Sequence, residues 1–141
     1  MKRNLLENTL GKVAIVAVNN DGTAITGVTI DRLGYQSCKV LGSISAASGS
    51  PNAATAAILL RHGAASNMSD QATFYTIASA LDVDPAAQFL DLDIDLSGAK
   101  RYIDITFDTT YTAGTSPTND VCFIVLLGDK SSEPNNAADN V

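Results

Sequence analysis

The stretch FLDLDIDLSG, residues 89–98, sets the fold class. From Leu90 to Leu96 apolar and acidic residues alternate without a break. A strand sends successive side chains to opposite faces. Leu90, Leu92, Ile94 and Leu96 therefore line one face, and Asp91, Asp93 and Asp95 the other. A helix would scatter both sets around its circumference. One face of this strand belongs to a core and the other to water or a partner.

The next apolar run, Arg101–Thr110, also alternates. Gly98-Ala99 between them suits a two-residue loop, since Gly fits the first central position of a type II′ turn. The spacing predicts a hairpin with Ile94 opposite Ile103, Leu92 opposite Ile105 and Leu90 opposite Phe107. That register places Asp95 opposite Tyr102, Asp93 opposite Asp104 and Asp91 opposite Thr106, with Asp108 continuing the acidic face. Like charges directly opposite one another destabilise a sheet. Calcium is one way to offset them, with Asp91, Asp93, Asp95 and Asp104 as the candidate ligands. However, ligands along one strand stand about 6–7 Å apart and do not converge. The calcium-loop pattern with its central Gly is also missing. The expectation is an acidic face open to solvent or a partner, with no metal and no cofactor.

Outward from this stretch the chain reads as further short strands. Val13–Val18 is a compact apolar run, and Asn19-Asn20-Asp21-Gly22 after it is a turn. Ala24–Leu33 and Tyr35–Ile44 are strand-like, and Ala46–Ala54 is a Ser/Gly/Pro loop. Residues 55–81 fit either a capped helix over Ala53–His62 or two strands, Ala57–His62 and Ala72–Ala78. Val121–Leu127 is unbroken and apolar, as in a central strand covered on both faces. About eight strands separated by turns predict an all-β, antiparallel β-sandwich of jelly-roll-like form, spanning residues 12–128. Residues 1–11 read as an extended N-terminal arm or a short helix, and residues 129–141 as a polar C-terminal tail.

Composition narrows the function. The chain has 141 residues, enough for one domain with a real core. Its net charge of −6 argues against nucleic acid, whose binders carry a basic footprint. No apolar run approaches the roughly 20 residues that span a bilayer. Lys2 and Arg3 precede an apolar run too short for a secretion signal, so Val13–Val18 reads as a first strand. Cys38 and Cys122 each sit inside an apolar run and read as buried free thiols. His62 is the single histidine, and no G-x-S-x-G elbow accompanies it. No zinc set, phosphate-cradling loop or carboxylate pair across a cleft is present. The reading is of a protein that is not an enzyme.

Three segments resemble the small β-sandwich proteins of tailed bacteriophages that accompany the major capsid protein, as head decoration or minor virion proteins. They are Val28–Cys38 (VTIDRLGYQSC), Ile58–Ile77, and Gly98–Ile105 (GAKRYIDI) with the following run Val121–Leu127. The third is similar to a K-R-Y-hydrophobic-x-hydrophobic strand of that group. Ala64–Met68 departs from the group's usual acidic turn. The resemblance favours strands over a helix in residues 55–81 and names no catalytic residue.

It implies a capsid decoration or cement protein on the outer surface of a phage head, in host cytoplasm during assembly and on the virion afterwards. The implied partner is the major capsid protein, and the implied state a homo-oligomer, with a trimer favoured. Candidate partner contacts are Lys2, Arg3, Leu5 and Leu6 of the arm, and Asp93 and Asp104 of the acidic face. Two alternatives share much of this pattern. One is a tail or neck structural protein of the virion. The other is a carbohydrate-binding jelly-roll module, for which Tyr102 is the best-placed of four tyrosines.

Overall fold

The computed structural model describes residues 9–84 and 86–130. The Leu90–Leu96 pattern becomes a strand within a two-layer, all-β sandwich, and no helix occurs among the described residues. Nine strands follow in chain order: β1 Leu10–Asn20, β2 Ile25–Thr26, β3 Ile30–Asp31, β4 Tyr35–Ile44, β5 Ala53–Gly63, β6 Ala72–Asp82, β7 Gln88–Asp95, β8 Tyr102–Thr112 and β9 Asn119–Lys130. One sheet has the order β1-β9-β4-β7. The other has the order β2-β8-β5-β6, with β3 also against β8. Every pairing is antiparallel. The ambiguity over residues 55–81 resolves to two strands, β5 and β6. Of the expected arm over residues 1–11 and tail over 129–141, Leu10 and Gly11 belong to β1 and Asp129 and Lys130 to β9, while residues 1–8 and 131–141 lie outside the described residues.

The core forms where the inner faces meet. Phe123 of the first sheet and Phe107 of the second are both fully buried, with ring centroids 6.0 Å apart. Such a pair adds about 0.5–1.5 kcal/mol beyond the apolar area it buries. Val40, Val125 and Leu127 extend the floor of the first sheet, and Ile58, Leu60, Ile103 and Ile105 that of the second. The alternation read from residues 89–98 holds: Ile94 is buried, Leu90 and Leu92 pack on the core, and Asp91, Asp93 and Asp95 face out.

The predicted hairpin does not form. β7 pairs with β4, whereas β8 pairs with β5, β2 and β3 in the opposite sheet. The connection between them crosses from one layer to the other. Leu96 and Ala99 are buried in it, the Leu96 N–H donates to the Gln36 carbonyl, and the Ala99 N–H closes a turn on the Leu96 carbonyl. Gly98, at φ +86°, occupies the third position of that turn, where a type II geometry demands a left-handed residue. Glycine was therefore needed, but for a crossover rather than a hairpin. Of strands adjacent in sequence, only β5 and β6 pair with each other.

Two further expectations are corrected. Ala24–Leu33 is not one strand but the short β2 and β3, interrupted at Gly27. The Gly27 N–H donates to the Ile105 carbonyl, and the Val28 N–H to the Ala14 carbonyl. The segment therefore bridges the two sheets. A Cβ on Gly27 would collide with both acceptor carbonyls, so only glycine passes there. β9 is central in its sheet, yet only its inner face is covered. Val121, Phe123, Val125 and Leu127 are buried, while Ile124 on the outer face is 38% exposed.

Candidate partner-binding surface

The outer face of the first sheet is built by register. Val13 of β1 lies beside Ile124 of β9, then Leu41 of β4, then Asp91 of β7. The next row runs Gly11, Leu126, Lys39 and Asp93. A third runs Cys122, Ser43 and Phe89. The β1 register slips between Ile15 and Val18, which adds Val16 beside this row. Val16 is 66% exposed and Phe89 71%. The result is an apolar surface over β1, β9 and β4 that ends at an acidic border on β7. Contiguous exposed apolar surface of this kind marks interaction sites more often than isolated exposed residues do.

The acidic border is held by one cation. Lys39 Nζ stands 2.5 Å from Asp91 Oδ1 and 3.2 Å from Asp93 Oδ2. Hydrogen bonding to Asp91 first, and then to Asp93, holds the Lys39 ammonium above its ordinary pKa. Asp95 is engaged differently. Its carboxylate accepts from the Ser97 N–H and hydroxyl, both at 2.8 Å. Those bonds, the backbone one first, hold the carboxyl below its usual range. Asp95 therefore caps the start of the crossover. Asp91 and Asp93 remain largely exposed and are the acids a partner can reach.

Asp104 is separate. It lies in the second sheet, opposite Arg61 rather than Asp93, and its side chain is 1% exposed. Arg61 forks onto it, Nε to Oδ1 at 2.8 Å and Nη2 to Oδ2 at 2.5 Å. Asp104 thus cannot meet a partner surface, and the expected clash with Asp93 does not exist. The four calcium candidates do not come together. No group of three or more His, Cys, Asp or Glu able to hold a metal occurs among the described residues. Lys2, Arg3, Leu5 and Leu6 lie outside the described residues.

A set of contacts that sequence reading missed clamps the crossover after β7. Arg32 donates to the carbonyls of Lys100, Tyr35 and Ala99. Lys100 Nζ meets Asp70 Oδ2 at 2.9 Å, and its backbone N–H donates to His62 Nδ1 at 3.1 Å. Asp70 also accepts from the Ala64 and Ala65 N–H groups. The Lys100 contact, followed by these, pushes its carboxyl far below the usual range. Arg101 forks onto Asp31, across from Tyr102. His62 also packs on Phe74, with ring centroids 5.2 Å apart. Its Nδ1 is occupied as an acceptor, so the single histidine serves as a bridge between β5 and the crossover. The only sequence signal for this clamp was the crowding of Lys100 and Arg101 beside Gly98.

The remaining candidates are tied into the frame as well. Tyr111 Oη lies 2.6 Å from Asn119 Oδ1 and 3.1 Å from the Asn20 carbonyl. Tyr102 sits under the Arg101 guanidinium, 5.1 Å from ring to cation, rather than beside Asp95. Cys38 is buried, and burial pushes its thiol up to about 12. Cys122 is half-buried on the outer face of β9.

No protein-family model matches the sequence, and no curated protein matches it. Solved structures do match the fold. The structure of the Gx strain of infectious bursal disease virus aligns over 91% of this chain at 10% identity, with a TM-score of 0.56. The VP2 subviral particle of the same virus aligns over 89% at 14% identity, with a TM-score of 0.52. This chain spans about a third of those chains, 33% and 34%. The SPBc2 prophage-derived protein YomS aligns over 86% of this chain and 94% of its own, at 12% identity and a TM-score of 0.45. At these identities, the VP2 likeness is one of fold: a β-sandwich also found in a virus particle protein.

Proposed function

We propose that this protein is a non-enzymatic structural component of a virion, and specifically a decoration or cement protein bound to the outside of a tailed-phage head. The observation that carries the reading is the open outer face of the first sheet. Val13, Val16, Ile124 and Phe89 are all exposed there, beside the Asp91–Asp93 border. Apolar area supplies affinity, and the acidic border supplies orientation against a basic patch. The partner is the major capsid protein, and the copies form a homo-oligomer, a trimer in the simplest arrangement. The sandwich shared with the bursal disease virus structures supports this reading, as does the resemblance to phage head proteins noted in the sequence. Residues 1–8 and 131–141 act as arm and tail around the sandwich.

Co-sedimentation with phage heads that lack the protein tests the proposal. Saturable binding at a fixed number of copies per head is expected, weakening as salt is raised. Ile124→Asp should reduce that binding at least tenfold, since a charge would be desolvated in the contact. No binding by the folded wild-type chain would overturn the proposal.

A further inference from the structure

A groove of about 470 Å³ opens between the start of β1 and the segment from Val28 to Tyr35. Its walls are Leu10, Lys12 and Val13 on one side, and Val28, Leu33 and Tyr35 on the other. Four of the nine exposed large hydrophobic residues among the described residues, Leu10, Val13, Val28 and Leu33, stand in these walls. β1 has a strand partner, β9, on one side only. On the other side the Val28 N–H donates to the Ala14 carbonyl at 2.7 Å and joins it to the far wall. Lys12 at the lip pairs with no carboxylate among the described residues. The groove is therefore walled largely by apolar side chains and carries the Lys12 charge, while Asp31, also in its wall, is held by Arg101.

We infer that this groove receives residues 1–8 of a neighbouring copy, with Leu5 or Leu6 against its apolar walls and Glu7 at Lys12. This deepens the reading above, since it supplies the contact that joins copies into an oligomer. The segment MKRNLLEN carries two adjacent leucines, so an extended course sends one of them inward whatever its facing. Glu7 is its one acid and complements Lys12. Eight residues reach roughly 26–29 Å when extended, enough to cross to an adjacent subunit. β1 begins beside the groove, with Leu10 in its wall. Such an exchange closes a two-fold pair when it is reciprocal and a ring when each copy gives to the next.

Disulfide trapping in purified protein, without phage heads, tests this. Two variants are made in a Cys122→Ala background, one with Leu6→Cys and one with Val28→Cys. Cys38 stays a buried thiol and does not compete. Mixed and mildly oxidised, the two are expected to form a cross-linked pair of different copies. Lys12→Glu should lower the yield several-fold at low salt. A chain carrying both cysteines that closes only on itself at every concentration overturns the exchange. Absence of any cross-link, with both variants folded by circular dichroism, overturns the docking. Either failure leaves head binding to be judged separately by co-sedimentation.

Discussion

Two acid–base pairs sit at equivalent places in the two sheets and behave as different objects. Lys39 and Asp93 are register neighbours on β4 and β7, and Arg61 and Asp104 are register neighbours on β5 and β8. Both face away from the core. The Lys39 cluster stays in solvent, where screening and side-chain entropy leave such pairs worth little. The Arg61–Asp104 pair is withdrawn from water, with Asp104 1% exposed, and is held by a two-pronged fork. Burial raises the cost of breaking it, because the survivor keeps an unpaired charge. Identical residue chemistry is thus a surface marking in one sheet and a structural lock in the other. Burial makes the difference.

The largest expected effect is on the lock. Arg61→Ala should destabilise the fold by about 3–5 kcal/mol, read by denaturant unfolding. The paired change Arg61→Met with Asp104→Leu should recover most of that loss, since it strands no charge. A single variant as stable as wild type would place the two pairs in one class.

Acid sharpens the comparison next. Asp70 is exposed yet strongly engaged, and its carboxyl lies well below the ordinary range because of Lys100 and two backbone donors. A lowered folded-state value means that its contribution is complete above the unfolded value near 3.9 and is lost as pH falls below it. Asp70→Asn should therefore lower the melting temperature at neutral pH. The gap from wild type should close as the pH drops below about 4. A gap independent of pH would show that packing of the 64–71 turn, rather than charge, is what Asp70 supplies.

The smallest effect belongs to the surface cluster. Lys39→Ala should leave the unfolding midpoint within experimental error. The same variant should strengthen the salt dependence of binding to phage heads, since it uncovers Asp91 and Asp93. A marked loss of stability would move the cluster into the class of the Arg61 lock.

The strand content was legible because alternation is written along the chain. Leu90, Leu92 and Ile94 turn inward, and Asp91, Asp93 and Asp95 outward, as period two requires. The Ala53–His62 run looked as helical as extended. It became β5 because Leu60 and Ile58 find Ile105 and Phe107 across the sheet. The acidic face was legible only in part. Asp91 and Asp93 reach solvent as the pattern predicts, but Asp104 vanishes beneath Arg61. The apolar outer face of β9 was concealed by its own sequence: an unbroken apolar run reads the same whether its second face is covered within the chain or left open to a partner.

By itself, the sequence determined which side of β7 is wet and that the chain turns at Gly98, because these depend on neighbours one or two residues apart. Only the tertiary structure decided which strands pair. Gly98 permits a turn but does not say whether that turn closes a hairpin or crosses between layers. The choice falls to Leu96 and Ala99, which bury themselves between the sheets, and to Arg32, His62 and Asp70, which arrive from elements far along the chain to hold the crossing. Interactions over such separations leave no periodicity in the sequence, and they fixed both the buried pair and the open face.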